Sequence, residues 1–418
     1  MGMDILKIVI GLLFLVVATS GLAIGDCDRD AATYPDMAGD WIRKADAPTA
    51  GGYGEAVVST AGNIYIAQCR NNRSDPVFWR YCPETGDWDL MNTSGLFTGA
   101  FRNGAAMAWD YGDYIYALFG GKYGDKNRTL FYRYNISGDD WERLADTPNG
   151  QGAGDAITWS EYDGHVYAMI GSNARKTVFA RYSHDSWETL AFNPNWTFTD
   201  DGASLVWAGG EYLYALRGEY EETVPNGDFA RYHILAGIWE DMTDLPEGDG
   251  GGDGNGSGDG NGVGDGASLL WIGSWLDGYS DCIFAIGGGS ADGEDPGYGF
   301  YRYSISCNDW DELEPLPCPV GYYVGNRLGF ADGSVHYWQG APTSERWICG
   351  GAAFCVFKTS SKGDTNGDGW ITTADAAIAL NLAVRGGYDL AADINDDGSV
   401  TSLDALRILQ AAANSIEL

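Results

Sequence analysis

Basic residues and histidines are scarce in this 418-residue chain: 25 Lys and Arg stand against 59 Asp and Glu, a formal charge of −34, and there are four histidines. The shortage of cations excludes nucleic acid and anionic membranes as main partners, because phosphate contacts need Lys and Arg. Signatures of nucleophilic or phosphate chemistry are lacking as well, with no Gly-x-Ser-x-Gly elbow, no Cys–His pairing pattern and no phosphate loop. His165, His184, His233 and His336 form no ligand pair at short spacing, and three of them fall in strand contexts. The apolar run Ile8 to Ala18 is short for a membrane span. Preceded by Lys7 and followed by the small residues Gly21, Ala23 and Gly25, it marks residues 1–25 as an export signal, with an uncleaved anchor as the alternative. Removal of that signal leaves no integral membrane span in the mature chain.

Export sets the expectations for the rest. Eight cysteines, an even number, favour disulfides over metal or thiol chemistry. Acceptor motifs for N-glycosylation occur at Asn72, Asn92, Asn127, Asn135, Asn195 and Asn255, as in a secreted glycoprotein. A composition of 44% hydrophobic and 13% aromatic residues supplies a large core. Most of the excess carboxylates are expected to keep the surface soluble.

One unit recurs from about residue 40 to residue 358. It opens on "GEA" 54–56, "GAA" 104–106, "GDA" 154–156, "GAS" 202–204 and "GAS" 266–268. Apolar strands follow, "IYIA" 64–67, "IYAL" 115–118, "VYAM" 166–169, "LYAL" 213–216 and "IFAI" 283–286, then "FWRY", "FYRY", "FARY", "FARY" and "FYRY". Each unit closes on a tryptophan, Trp88, Trp141, Trp187, Trp239 or Trp310, at spacings of 53, 46, 52 and 71 residues. Such spacings suit four short antiparallel strands and exceed those of helical-pair repeats. A sixth, degenerate unit has "VHYW" 335–338 and then either "RWIC" 346–349 or "FCVF" 354–357, with no closing tryptophan. The missing strand lies at the other end: "DWIRKADAP", 40–48, matches "DWERLADTP", 140–148. The expected fold is mainly β, a six-bladed β-propeller over 26–360 whose N-terminal strand closes the last blade, with seven blades as the competing count.

The repeat resembles the Kelch family, whose units carry a glycine doublet after the second strand; it is complete at Gly120-Gly121 and Gly287-Gly288-Gly289. That resemblance implies architecture and not activity, since such propellers include binding modules and enzymes alike. The recurrent Arg80, Arg133, Arg181, Arg231 and Arg302 are read as structural, pairing with a neighbouring acid or stacking on the blade tryptophan. Cys282 and Cys307 sit at the start and end of a predicted hairpin and are the expected disulfide pair; Cys27, Cys69, Cys82, Cys318, Cys349 and Cys355 are left unassigned. The Gly- and Asp-rich stretch 247–266 reads as a flexible loop.

After the propeller, "DTNGDGWITTAD" places Asp364, Asn366 and Asp368 at positions one, three and five, the Trp370 carbonyl at seven and Asp375 at twelve. "DINDDGSVTSLD" repeats the pattern with Asp393, Asn395, Asp397, the Ser399 carbonyl and Asp404. Calcium takes several oxygens at once, and a tight loop with carboxylates at alternate positions supplies them. An Ala- and Leu-rich helical segment follows each loop, and both twelfth positions are Asp where an EF-hand has Glu. Residues 361–418 thereby resemble a dockerin, a duplicated calcium module of type I character that plugs into a cohesin. The resemblance implies two calcium ions, a cohesin partner, and contacts through Thr373, Ala374, Ser402 and Leu403. A calcium-stabilised terminal domain without a partner is the plainer alternative.

The combined expectation is a secreted or cell-surface binding module for a glycan or protein, attached through calcium-dependent dockerin–cohesin contact. Trp196, Trp275, Tyr220 and Tyr298, at predicted loop tips, are the first candidate contacts. The alternatives are a carbohydrate-active hydrolase or lyase, for which no catalytic residues stand out among so many carboxylates, and a structural surface component.

Overall fold

The computed structural model describes residues 39–413 apart from stretches between elements, the longer being 70–75, 122–128, 219–226, 247–266, 274–280, 289–297, 321–327, 340–353 and 366–370. The export segment 1–25 and the Gly- and Asp-rich loop 247–266 therefore lie outside the described residues.

Strand β1 (Gly39–Arg43) precedes five regular sheets. The first holds β2 (Ala56–Ser59), β3 (Ile64–Cys69), β4 (Pro76–Cys82) and β5 (Asp87–Leu90), and the second β6 (Ala105–Trp109), β7 (Tyr114–Phe119), β8 (Phe131–Asn135) and β9 (Asp140–Arg143). The third holds β10 (Ala156–Ser160), β11 (His165–Ser172), β12 (Lys176–Ser183) and β13 (Ser186–Thr189), the fourth β14 (Ser204–Trp207), β15 (Tyr212–Leu216), β16 (Phe229–His233) and β17 (Ile238–Asp241). In the fifth are β18 (Ser268–Trp271), β19 (Cys282–Ile286), β20 (Phe300–Ser304) and β21 (Asp309–Glu312). The last sheet runs β22 (Leu328–Ala331), β23 (Ser334–Trp338), β24 (Phe354–Thr359) and then β1, with Trp41 opposite Phe357. The innermost strands β2, β6, β10, β14, β18 and β22 touch in succession and β22 returns to β2. This is a six-bladed β-propeller closed by the N-terminal strand, and "FCVF" is the third strand of the last blade.

Both faces of every blade but its outer strand are covered by neighbouring blades, which is why the inner strands read as unbroken apolar runs: all five residues of β19 are buried, whereas β5 is mostly exposed. The closing tryptophans of the second to sixth blades bind each of these to the blade before it, whereas the indole N–H of Trp88 in the first blade has no hydrogen-bond partner. The indole N–H groups of Trp141, Trp187, Trp239 and Trp310 donate to the carbonyls of Asn92, Ala145, Ala191 and Thr243 at 2.9–3.1 Å. Trp41 does the same to Glu314 at 3.2 Å, so β1 reproduces the role of an ordinary fourth strand. Deeper in the ring, Ser59 and Thr158 hydroxyls accept from the backbone N–H groups of Phe330 and Trp207 in an adjacent blade. Gly121 of the glycine doublet is forced by space, since a Cβ there would run into the Gln151 carbonyl.

The recurrent arginines are structural, as expected, but their partners are acids of the outer strand. Arg80, Arg133, Arg181, Arg231 and Arg302 reach Asp89, Glu142, Glu188, Glu240 and Asp311 at 2.6–2.9 Å. Arg133 and Arg231 also lie over the rings of Tyr114 and Tyr212, not over a blade tryptophan.

The expected Cys282–Cys307 bridge is not formed. Cys282 is a free, buried thiol whose cross-strand neighbour is Ser304, and β20 ends there, carrying Cys307 into the following turn. Cys307 is disulfide-bonded, but not to Cys282. Among the described residues no helix is long and apolar enough to cross a membrane.

Candidate functional site

At the C-terminal end, α1 (Thr373–Arg385) and α2 (Ser402–Ala412) pack through Ala376, Ala379, Ala392, Val400, Ala405 and Ile408. Each helix is started by the aspartate predicted at the twelfth loop position. Asp375 Oδ2 accepts from the Thr372 N–H and hydroxyl, both at 2.8 Å. Asp404 Oδ2 accepts the equivalent pair from Thr401, and Thr401 in turn caps α2 by accepting from Leu403 N–H. Burial alone would raise the Asp404 carboxyl, but the Thr401 hydroxyl and N–H outweigh it and hold the group below the usual carboxylate range.

The second oxygen, Asp404 Oδ1, is buried with no hydrogen-bond partner. Asp364, Asp375, Asp393 and Asp404 are all at most 4% exposed. Burying several carboxylates in so small a module is expensive unless a cation compensates, and an orphaned oxygen is what such a cation would take. These observations fit a hard, oxygen-seeking ion. Asn395 and Ser399 are exposed, while Asn366, Asp368, Trp370 and Asp397 lie outside the described residues. Among the described residues alone, no three His, Cys, Asp or Glu side chains gather to hold a metal. The expected partner contacts Thr373, Ala374, Ser402 and Leu403 are all exposed in the first turns of the helices. Leu403 continues along α2 into exposed Leu406 and Leu409.

The propeller's central channel is the second candidate. It is lined by inner-strand residues of all six blades and is dominated by apolar and aromatic groups. One end is ringed by Trp109, Trp159, Trp207 and Trp271, the residue three places after the small-residue element in four successive blades. Cross-strand pairing puts Phe330 at the same level in the last blade and Ser59 in the first. Sequence reasoning missed this ring although its signal was present, a tryptophan at one fixed offset in "GAAMAW", "GDAITW", "GASLVW" and "GASLLW". Tyr111 packs against the ring, 5.0 Å from Trp109 and 6.3 Å from Trp207.

Of the aromatic contacts predicted at loop tips, Tyr298 is exposed, and Tyr220 and Trp275 lie outside the described residues. Trp196 is not a surface contact: it is 6% exposed and packed on Trp239 at 5.9 Å, because its loop folds inward between blades. His165, His233 and His336 lie in strands as expected. Two buried carboxyls stand just before inner strands. Glu55 accepts from the Trp338 indole at 2.8 Å, and Asp155 accepts from Gly152 N–H at 3.2 Å. Burial drives the Asp155 carboxyl well above the usual range despite its backbone donors.

No curated protein matches the chain. Residues 362–411 match the family model of the dockerin type I domain, a span that takes in the first helix, all but the last residue of the second, and the Asp364 to Asp404 aspartates. Such domains bind calcium in general, imply attachment to a scaffold through a cohesin, and are typical of extracellular proteins. The chain is thus a six-bladed β-propeller followed by a dockerin type I domain.

Proposed function

We propose that this is an exported binding protein, in which the propeller holds a protein or glycan ligand and the dockerin fixes it to a cohesin-bearing scaffold or surface. The observation that carries the docking half is the buried, unpartnered Asp404 Oδ1, together with the burial of the other three loop aspartates. Asp364, Asn366, Asp368, Asp375 and the Trp370 carbonyl would hold one calcium ion; Asp393, Asn395, Asp397, Asp404 and the Ser399 carbonyl would hold a second. Calcium supplies the charge that the buried carboxylates lack, so it couples to folding of the module. Its own residues do the rest: Asp375 and Asp404 start the helices and thereby present Thr373, Ala374, Ser402 and Leu403 outward to a cohesin.

Binding rather than turnover is favoured for the propeller because its channel is lined by indoles and aliphatic groups. A carbohydrate-active hydrolase or lyase is the second reading. Asp155 favours it, a buried carboxyl that burial holds well above the usual carboxylate range. The experiment is capture of the full chain on an immobilised type I cohesin with calcium or with EGTA, alongside incubation with plant and microbial polysaccharides. Calcium-dependent capture without new reducing or unsaturated ends supports the reading; capture indifferent to EGTA refutes the docking half, and turnover of any polysaccharide refutes the other.

A further inference from the structure

We propose that the indole-ringed end of the propeller channel is a binding site for a quaternary ammonium cation. Four tryptophans from successive blades line one space of about 100 Å³, suited to a single headgroup and not to a run of sugars. Ring faces carry the negative end of the aromatic quadrupole, and a desolvated, weakly hydrated cation gains most from several at once. Two of the four indoles are fixed by their own turns: Trp109 and Trp207 donate to the carbonyls of Gly112 and Gly210 at 2.9 Å. Trp159 is held flat against Tyr116, with 10° between the ring planes. These orientations are set before any ligand arrives.

Tyr111 adds a fifth ring at a cost in backbone strain. Its φ is +59°, in the left-handed region that a bulky side chain avoids. The matching turn position in the fourth blade is Gly209, at φ +80°. A tyrosine where glycine does the same conformational work brings the ring against Trp109 and Trp207.

Charge points to the same class of ligand. The strand order puts the first and third turns of every blade at this end of the channel. Among the described residues, the first turns of the second, third and fourth blades contain Asp110, Glu161 and Glu211, and neither the first nor the third turns contain a single Lys or Arg. The nearest strand arginines, Arg133, Arg181 and Arg231, are already paired with Glu142, Glu188 and Glu240. An acidic rim around an aromatic floor attracts cations and repels carboxylate-bearing glycans.

The test is isothermal titration calorimetry of the full chain with tetramethylammonium, choline and 3,3-dimethyl-1-butanol, the uncharged carbon isostere of choline. The two cations should bind, with the isostere weaker by about tenfold or more. Tyr111→Gly, which removes the ring without demanding a strained backbone, and Trp159→Leu should each weaken choline by a similar factor while cohesin capture and the melting transition persist. Absence of binding by both cations, or an isostere that binds equally well, overturns the site. Because the dockerin plays no part in it, such a failure leaves cohesin capture and a ligand on the opposite face of the propeller untouched.

Discussion

The indole of Trp41 donates a hydrogen bond to the carbonyl of Glu314, 273 positions away in sequence, at 3.2 Å. That bond joins the first described strand to the blade before the last and repeats the contact made by Trp141, Trp187, Trp239 and Trp310. Trp41 also packs on Phe300 and Phe357, each at 5.2 Å. Closed this way, the last blade has its fourth strand, and closure of the ring depends on that one short strand.

Trp41→Phe keeps most of the packing and loses the hydrogen bond, an expected cost of about 1 kcal/mol. Trp41→Ala loses both, an expected cost of about 3 kcal/mol. Urea unfolding followed by tryptophan fluorescence measures the difference. Equal midpoints for the two variants would show that the closing strand does not hold the ring.

His336 makes the last blade sensitive to acid. It stands where other blades carry Tyr65, Tyr116, Tyr167, Tyr214 or Phe284, stacked on Phe354 at 5.3 Å and buried. Burial lowers its pKa from 6.5 to about 4, against the Ser334 carbonyl, which favours the proton. Between those values the unfolded chain binds a proton that the folded chain refuses, so stability falls as pH drops through 6.5 toward 4. The window is worth about 3 kcal/mol when fully traversed. His336→Phe should flatten this part of the pH dependence, as read from chemical unfolding at pH 7 and pH 4.5; an unchanged slope would place the acid sensitivity elsewhere.

Tyr111 permits a test of stored strain. Alanine at that position loses the ring and keeps the left-handed backbone, whereas glycine loses the ring and relieves it. Tyr111→Gly should therefore be more stable than Tyr111→Ala by about 1 kcal/mol. Thermal unfolding of the two variants decides it, and the reverse order would mean that the turn relaxes to another conformation.

The blades were legible in the sequence because five of them repeat the same apolar strand, the same "RY" pair and the same closing tryptophan, and the sixth borrows its tryptophan from the displaced copy around Trp41. The dockerin was legible for a similar reason, since metal ligation fixes residue spacing and Asp364 to Asp375 recurs as Asp393 to Asp404. What escaped was tertiary. Trp196 reads as a loop tip, yet packing between blades draws it inside. Cys282 looked matched to Cys307, but strand register set Ser304 opposite it. The ring formed by Trp109, Trp159, Trp207 and Trp271 was hidden by its neighbours, short apolar inner strands in which a tryptophan passes for core. Only closure of the six blades brings those four indoles to one axis.

The most direct measurement joins calcium to docking. Asp364→Ala combined with Asp393→Ala, in the full chain, removes the first proposed ligand of each loop, and both calcium titration and capture by a type I cohesin can be read on the same protein. The expected result is loss of calcium binding together with loss of capture, while the propeller's own unfolding transition stays in place. Unchanged calcium binding and unchanged capture in the double variant would contradict the assignment of these loops as the docking module.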